Sequence, residues 1–197
     1  MATVTVKLDN LKKLKDAVSK QAQRTVKVGV DSGAFYPNGI AVAEIASYLN
    51  YGWTQTVKKQ QSKWLGAHGV HMKVGSTLNM PARPFFRAAI DAKKQDIAKV
   101  TEMAKAVLKD ITVNTPQKIQ KALELLGALG VEAVRDAIND GYASNVSFAL
   151  RSPATLVIYG NLFSGHKTDD TPNQITNRKP LRVEGTLAGS ISFEIED

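Results

Sequence analysis

The 197-residue chain contains no cysteine, which removes disulfides and thiolate metal sites at once and fits assembly in a reducing compartment. Long apolar runs are missing too. No stretch approaches the roughly 18 apolar residues that a membrane helix needs. The opening "MATVTVKLDNLKKLKDAVSKQAQR" holds no apolar segment of the secretory kind, so the expectation is an unsecreted chain with no membrane partner. There is no G-x-S-x-G, no Walker loop and no G-x-G-x-x-G. Histidine is scarce. His68 and His71 stand three apart in "HGVH", but no cysteine or nearby carboxylate completes a ligand set. His166, Asp169 and Asp170 in "HKTDD" read more simply as a polar loop with turn-forming aspartates. No catalytic residue, metal site or cofactor is therefore expected, and an enzyme is unmotivated.

What is present is ordinary for a packed globular protein, with 43% hydrophobic and 22% charged residues, and the length suits a single domain spanning residues 1–197. The formal net charge of +8 is unevenly placed. Residues 1–30 carry seven Lys or Arg against two Asp, and residues 57–99 carry nine against two, whereas residues 183–197 carry four acids and no base. Such a gradient suits either a nucleic-acid partner or pairing between the basic surface of one copy and the acidic end of another.

Periodicity predicts an amphipathic helix over Leu8–Ala22, with Asp9 or Asn10 as its cap, and a strand at "TVKVGVD"; the earlier "TVTVKL" reads as a further strand. "IAVAEIASYLNYG" predicts a short helix capped at Gly52. Residues 53–80 lack a clear period and are expected to form an extended loop or hairpin insertion. One long helix, the longest in the chain, is expected from Pro84 to Ile111. A second is expected from a Thr115 cap to Asn139, with Gly127 and Gly130 weakening or bending it. "ATLVIYGN" predicts a strand, "SGHKTDDTPNQITNRKP" a long polar connection, and "SISFEIED" a terminal strand with Ile191, Phe193 and Ile195 on its apolar face. The expected class is α+β, a small antiparallel sheet packed against two long helices.

Aromatic and basic residues interleave around Trp53, Lys58, Lys59, Trp64, Arg83, Phe85, Phe86 and Arg87, an arrangement that fits base stacking with phosphate contacts or, equally, a protein interface. In "MPARPFFRAAI", Pro81 and Pro84 restrict the backbone around Arg83 and set the angle at which the helix begins. Phe85 and Phe86 then divide between core and neighbour, and Arg83 and Arg87 meet either carboxylates of another subunit or local carbonyls. Candidate subunit-interface residues are Trp53, Trp64, Arg83, Phe85, Arg87, Glu194 and Glu196, the two glutamates lying on the polar side of the last strand.

Taken in order, "VKVGV", "YPNG", "VAEIASYLNYG", "PARPFFRAAID" and "KPLRVEGTLAGSISFEI" resemble the neck and tail-completion (head–tail joining) proteins of tailed bacteriophages. The resemblance implies a non-enzymatic virion protein, assembled in the host cytoplasm as a homo-oligomeric ring, hexameric or larger. Its implied neighbours are the head connector and the tail-tube or terminator proteins, with genomic DNA passing through the ring without sequence-specific contact. A basic nucleic-acid-binding accessory protein is the alternative reading.

Overall fold

A computed structural model of the chain describes residues 8–109, 112, 114–144, 146–150, 152, 154, 155, 157, 158, 181 and 185–196. The fold is built around helix α6, Thr115–Asp140, whose 26 residues span about 39 Å at 1.5 Å per residue. Pro116 stands in its first turn, where the missing N–H has no intrahelical partner. Thr115 is the first helical residue and not the cap: it is fully buried, and its Oγ1 accepts the Thr112 N–H at 2.7 Å.

Antiparallel to α6 runs the segment expected as one long helix, which the structure divides into α4, Phe85–Ala92, and α5, Lys94–Lys109, broken at Lys93. The longest described helix is therefore α6. The break follows from the apolar pattern. Phe85, Ala88 and Ala89 are buried in α4 and Val100 in α5, but nothing between them is, so the chain re-aims where no core contact holds it straight. Both pieces stay on α6, and Lys93 reaches Glu132 of that helix at 3.6 Å.

Across α6 lies a two-stranded antiparallel ribbon that joins the two ends of the chain. Strand β1, Thr25–Val30, follows α1, Leu8–Ala22; strand β6, Ile191–Glu196, is the expected terminal strand. The register pairs Val26 with Ile195, Val28 with Phe193 and Val30 with Ile191, so all six apolar side chains share one face. That face meets α6 at Gly127 and Gly130. A Cβ added at Gly127 would stand 2.6 Å or less from three carbons of the Phe193 ring, and one at Gly130 would stand 2.7 Å from Val28 Cγ2. The two glycines expected only to weaken the helix are the places where the ribbon seats on it. At the far end, the short helix α7, Thr186–Gly189, leads into β6, and Arg135 of α6 donates to the carbonyls of Ala188 and Ile191 at 3.1 and 3.0 Å.

Helix α2, Val42–Tyr51, packs over the start of the ribbon, and the core gathers Val42, Phe85, Val134, Ile138 and Ile191. Gly52 ends α2 with φ 71°, and an added Cβ there would lie 2.7 Å from both Ala82 N and Met80 O, so the site requires glycine twice over. The insertion is a hairpin of β2, Trp53–Thr56, and β3, Thr77–Met80, whose connection carries an unforeseen helix, α3, Lys59–Ala67. Gln61 Oε1 accepts the Lys58 N–H at 2.9 Å, and Val57 and Leu65 are buried beneath it. A third ribbon pairs β4, Tyr142–Ala143, with β5, Val146–Ser147. The α+β class holds, although its strands form three separate ribbons.

Other expectations are corrected. Ala154, Thr155, Val157 and Ile158 have helical backbone where a strand was expected. Helix α1 has begun by Leu8, so Asp9 and Asn10 lie inside it. The "TVTVKL" strand, apart from Leu8, and the polar connection after Phe163 fall outside the described residues.

The Gly127 contact predicts the sign of a substitution. Gly127→Ala gains about 1 kcal/mol of helix propensity but forces the Phe193 ring off its seat, at a cost of about 1–3 kcal/mol. A net loss of stability in urea unfolding is expected, and adding Phe193→Ala should reverse the sign of the Gly127→Ala effect. A Gly127→Ala chain as stable as wild type would refute the contact.

A candidate interaction groove

The ribbon's two outer edges are treated differently. Asp31 N–H donates to Ser190 O at 2.8 Å, which sets the phase of the ladder: Thr25, Lys27 and Gly29 exchange hydrogen bonds with β6, and the N–H and C=O groups of Val26, Val28 and Val30 point away. On β6 the equivalent outward carbonyls are occupied, Ile191 by Arg135 and Ile195 by Arg24 Nη2 at 3.4 Å. On β1, no described strand pairs with the outward edge. An unprotected strand edge is a ready template for another chain.

Beside that edge lies an open groove of about 780 Å³. Its walls are α2, through Ala43, Ser47, Asn50 and Tyr51, and α4, through Phe86, Arg87, Ile90 and Asp91. The helical repeat places Phe86 and Ile90 one turn apart, so both reach the groove while Phe85 and Ala89 turn into the core. Tyr51, the last residue of α2, is 77% exposed at the rim. Asn50 is buried. Its Oδ1 accepts the Phe86 N–H at a long 3.4 Å, tying α2 to the start of α4. The charges at the rim, Arg87 and Asp91, stand 3.9 Å apart. The chemistry on offer is apolar surface, a free row of peptide groups and a nearly neutral border. It suits an extended polypeptide.

Of the seven residues singled out from sequence, Arg87 alone lines this groove, with its side chain 89% exposed. Arg83 and Phe85 are corrections: neither is available to a neighbour. Arg83 is 4% exposed and donates from Nε to Ala149 O at 2.7 Å and from Nη2 to Leu150 O at 3.2 Å, while its own N–H bonds Leu49 O. It fastens the start of α4 to α2 and to the segment after β5. Phe85 is completely buried. The paired prolines thus serve an internal clamp. Trp53 is half-buried, its ring 6.2 Å from Tyr48; Trp64 is 50% exposed and stacked on His68 at 4.2 Å.

Glu194 and Glu196 lie on the ribbon's solvent face. Glu196 forms an ion pair with Lys27 on the facing strand. That hydrogen bond raises the Lys27 pKa and, from the other side, lowers that of Glu196. The pair's contribution is present at neutral pH. It is lost as pH falls through the depressed Glu196 value, and again as pH rises through the raised Lys27 value. Both side chains are solvated, so the effect on stability is small. Among the described residues, no group of three or more His, Asp or Glu is placed to hold a metal ion, and no helix is long and apolar enough to cross a membrane.

The groove residues Phe86 and Ile90 were read as one helical stripe with the core, and Tyr51 as part of a helix end. The signal that separates them is the phase offset between Phe85 and Phe86 across the helix. No protein-family model matches the chain, and no curated protein or solved structure matches it either.

The two arginines should separate cleanly. Arg83→Ala strands two buried carbonyls and should cost about 1.5–3 kcal/mol in urea unfolding, whereas Arg87→Ala should stay within about 0.5 kcal/mol of wild type. Glu196→Gln should likewise leave the neutral-pH urea midpoint almost unchanged. Equal effects for Arg83 and Arg87 would contradict the buried clamp.

Proposed function

We propose that the chain is a structural subunit that associates with copies of itself, forming a ring in the neck of a tailed-phage virion that completes the tail or joins the head connector to the tail tube. The observation that carries this reading is the open β1 edge above an apolar groove, a surface that a solitary soluble chain has reason to cover. The ordered motifs support it, since the clamp at Arg83 and the glycine at the end of α2 give "YLNYG" and "PARPFF" a joint purpose: they hold α2 and α4 apart as the groove's walls. In this reading the ring adds no chemistry and lets DNA through its centre.

Lysines on α5 form local pairs, Lys99 with Asp96 at 3.2 Å and Lys105 with Glu102 at 2.8 Å, which leaves less free charge for phosphate than the formal +8 suggests.

Sedimentation velocity across a concentration series, with negative-stain images of the heavy fraction, tests the proposal. Ring-shaped assemblies are expected. Because every copy carries a net positive charge, association through an apolar groove should strengthen as salt screens the repulsion; pairing of acidic ends with basic surfaces would weaken instead. A chain that stays monomeric throughout, and binds DNA with a steep inverse salt dependence, would replace this reading with the nucleic-acid one.

A further inference from the structure

Helix α1 is poorly covered by its own chain. From residue 12 to residue 22 only Val18 is buried, and the main packing partner of α1 is α6. Leu8 lies ten residues, about 15 Å along the helix axis, beyond that one buried anchor. Helix α1 contributes no residue to the groove, whose walls are α2 and α4. Residues 1–7, "MATVTVK", therefore begin at the far end of an arm and on another part of α6 from the open β1 edge.

The segment and the edge have matching chemistry. Ala2, Val4 and Val6 alternate with Thr3, Thr5 and Lys7, the period that puts one apolar row on one side of an extended strand. Seven residues extend over about 23 Å and the six of β1 over about 20 Å, so the lengths agree. An added strand at the usual spacing of about 4.8 Å from β1 would lie over α4 and cover Phe86 and Ile90, while the outward peptide groups of Val26, Val28 and Val30 would gain partners. Lys7 adds a cation near a rim that holds Asp91.

We propose that the open edge of β1 receives residues 1–7 of a second copy of this chain as an added strand, so that neighbouring subunits are joined by an exchanged arm. This rests on the self-association reading and names the contact by which it occurs. Each subunit both gives an arm and takes one, a head-to-tail contact that closes into a ring when the rotation between copies allows.

Because the chain has no cysteine, single thiols report the contact in the full-length protein. One preparation carries Val4→Cys and the other Ser47→Cys on the groove wall, and the two are mixed under assembling conditions with a short thiol-specific crosslinker. A covalent dimer is expected in the mixture, at least about tenfold above either preparation alone. Val4→Asp/Val6→Asp in the full chain should abolish both the crosslink to Ser47→Cys partners and the assembly, with circular dichroism unchanged. If the wild type assembles but no mixed dimer forms, or if Val4→Cys/Ser47→Cys links only within one chain, the exchanged arm is overturned and the ring reading stands. If the wild type remains monomeric at every concentration and salt, both fall.

Discussion

The contact of α6 with the β1–β6 ribbon at Gly127 and Gly130 is the constraint on which the remaining structure hangs. Each glycine costs the helix about 1 kcal/mol relative to alanine, and neither would persist in an isolated helix for its own sake. Their missing side chains let Phe193 and Val28 lie against the helix backbone, and the ribbon comes close enough to bury Ile191 as well. The ribbon joins residues near position 25 to residues near position 196. Such a pairing is entropically expensive, because a long loop must close before any ladder bond is gained. A firm seat on a preformed helix offsets that cost, and Arg135 then fixes the turn from α7 into β6.

Once the ribbon is seated, the second arrangement follows. Arg83 is a buried cation whose partners are backbone carbonyls, and hydrogen bonds to a charged donor are among the stronger ones in a protein interior. Pro81 and Pro84 limit the chain on either side of it, so little conformational freedom is lost when the guanidinium is placed. The clamp sets the rotation of α4. With Phe85 turned fully inward, Phe86 and Arg87 have only the groove side left to them. Core packing and the candidate interaction surface are thus two faces of one short helix.

Local periodicity made the helix over Leu8–Ala22, the strand at "TVKVGV", the helix closing at Gly52 and the span of α6 legible, and the alternation of Ile191, Phe193 and Ile195 marked the inner face of β6. What could not be read was relational. Nothing in "GALG" distinguishes a weak point in a helix from a docking seat for a ring 66 residues away in sequence. The break at Lys93 arises from where α6 lies, not from any Pro or Gly in "DAKKQD". Helix α3 went unseen because "KQQSKWLGA" buries only Leu65, leaving Trp64 half-exposed and no apolar stripe to find. For the site, residue type misled. Arginine beside phenylalanine suggested an interface, yet Arg83 and Phe85 serve the interior, while the groove is lined by valines, a tyrosine and an isoleucine that had been read as elements of secondary structure.

Geometry explains why the groove exists at all. Two packed helices have axes about 8–10 Å apart, and strands are spaced about 4.8 Å, so the α4–α6 layer presents more width than a two-stranded ribbon covers. The ribbon must lie over α6, because that is where the glycines are, and the uncovered width consequently falls over α4. Extending the layer on the β6 side would displace Arg24 and Arg135 from the carbonyls they occupy; extending it on the β1 side displaces only solvent among the described residues. The position of the open edge is thus set by the same glycines that allow the chain to fold.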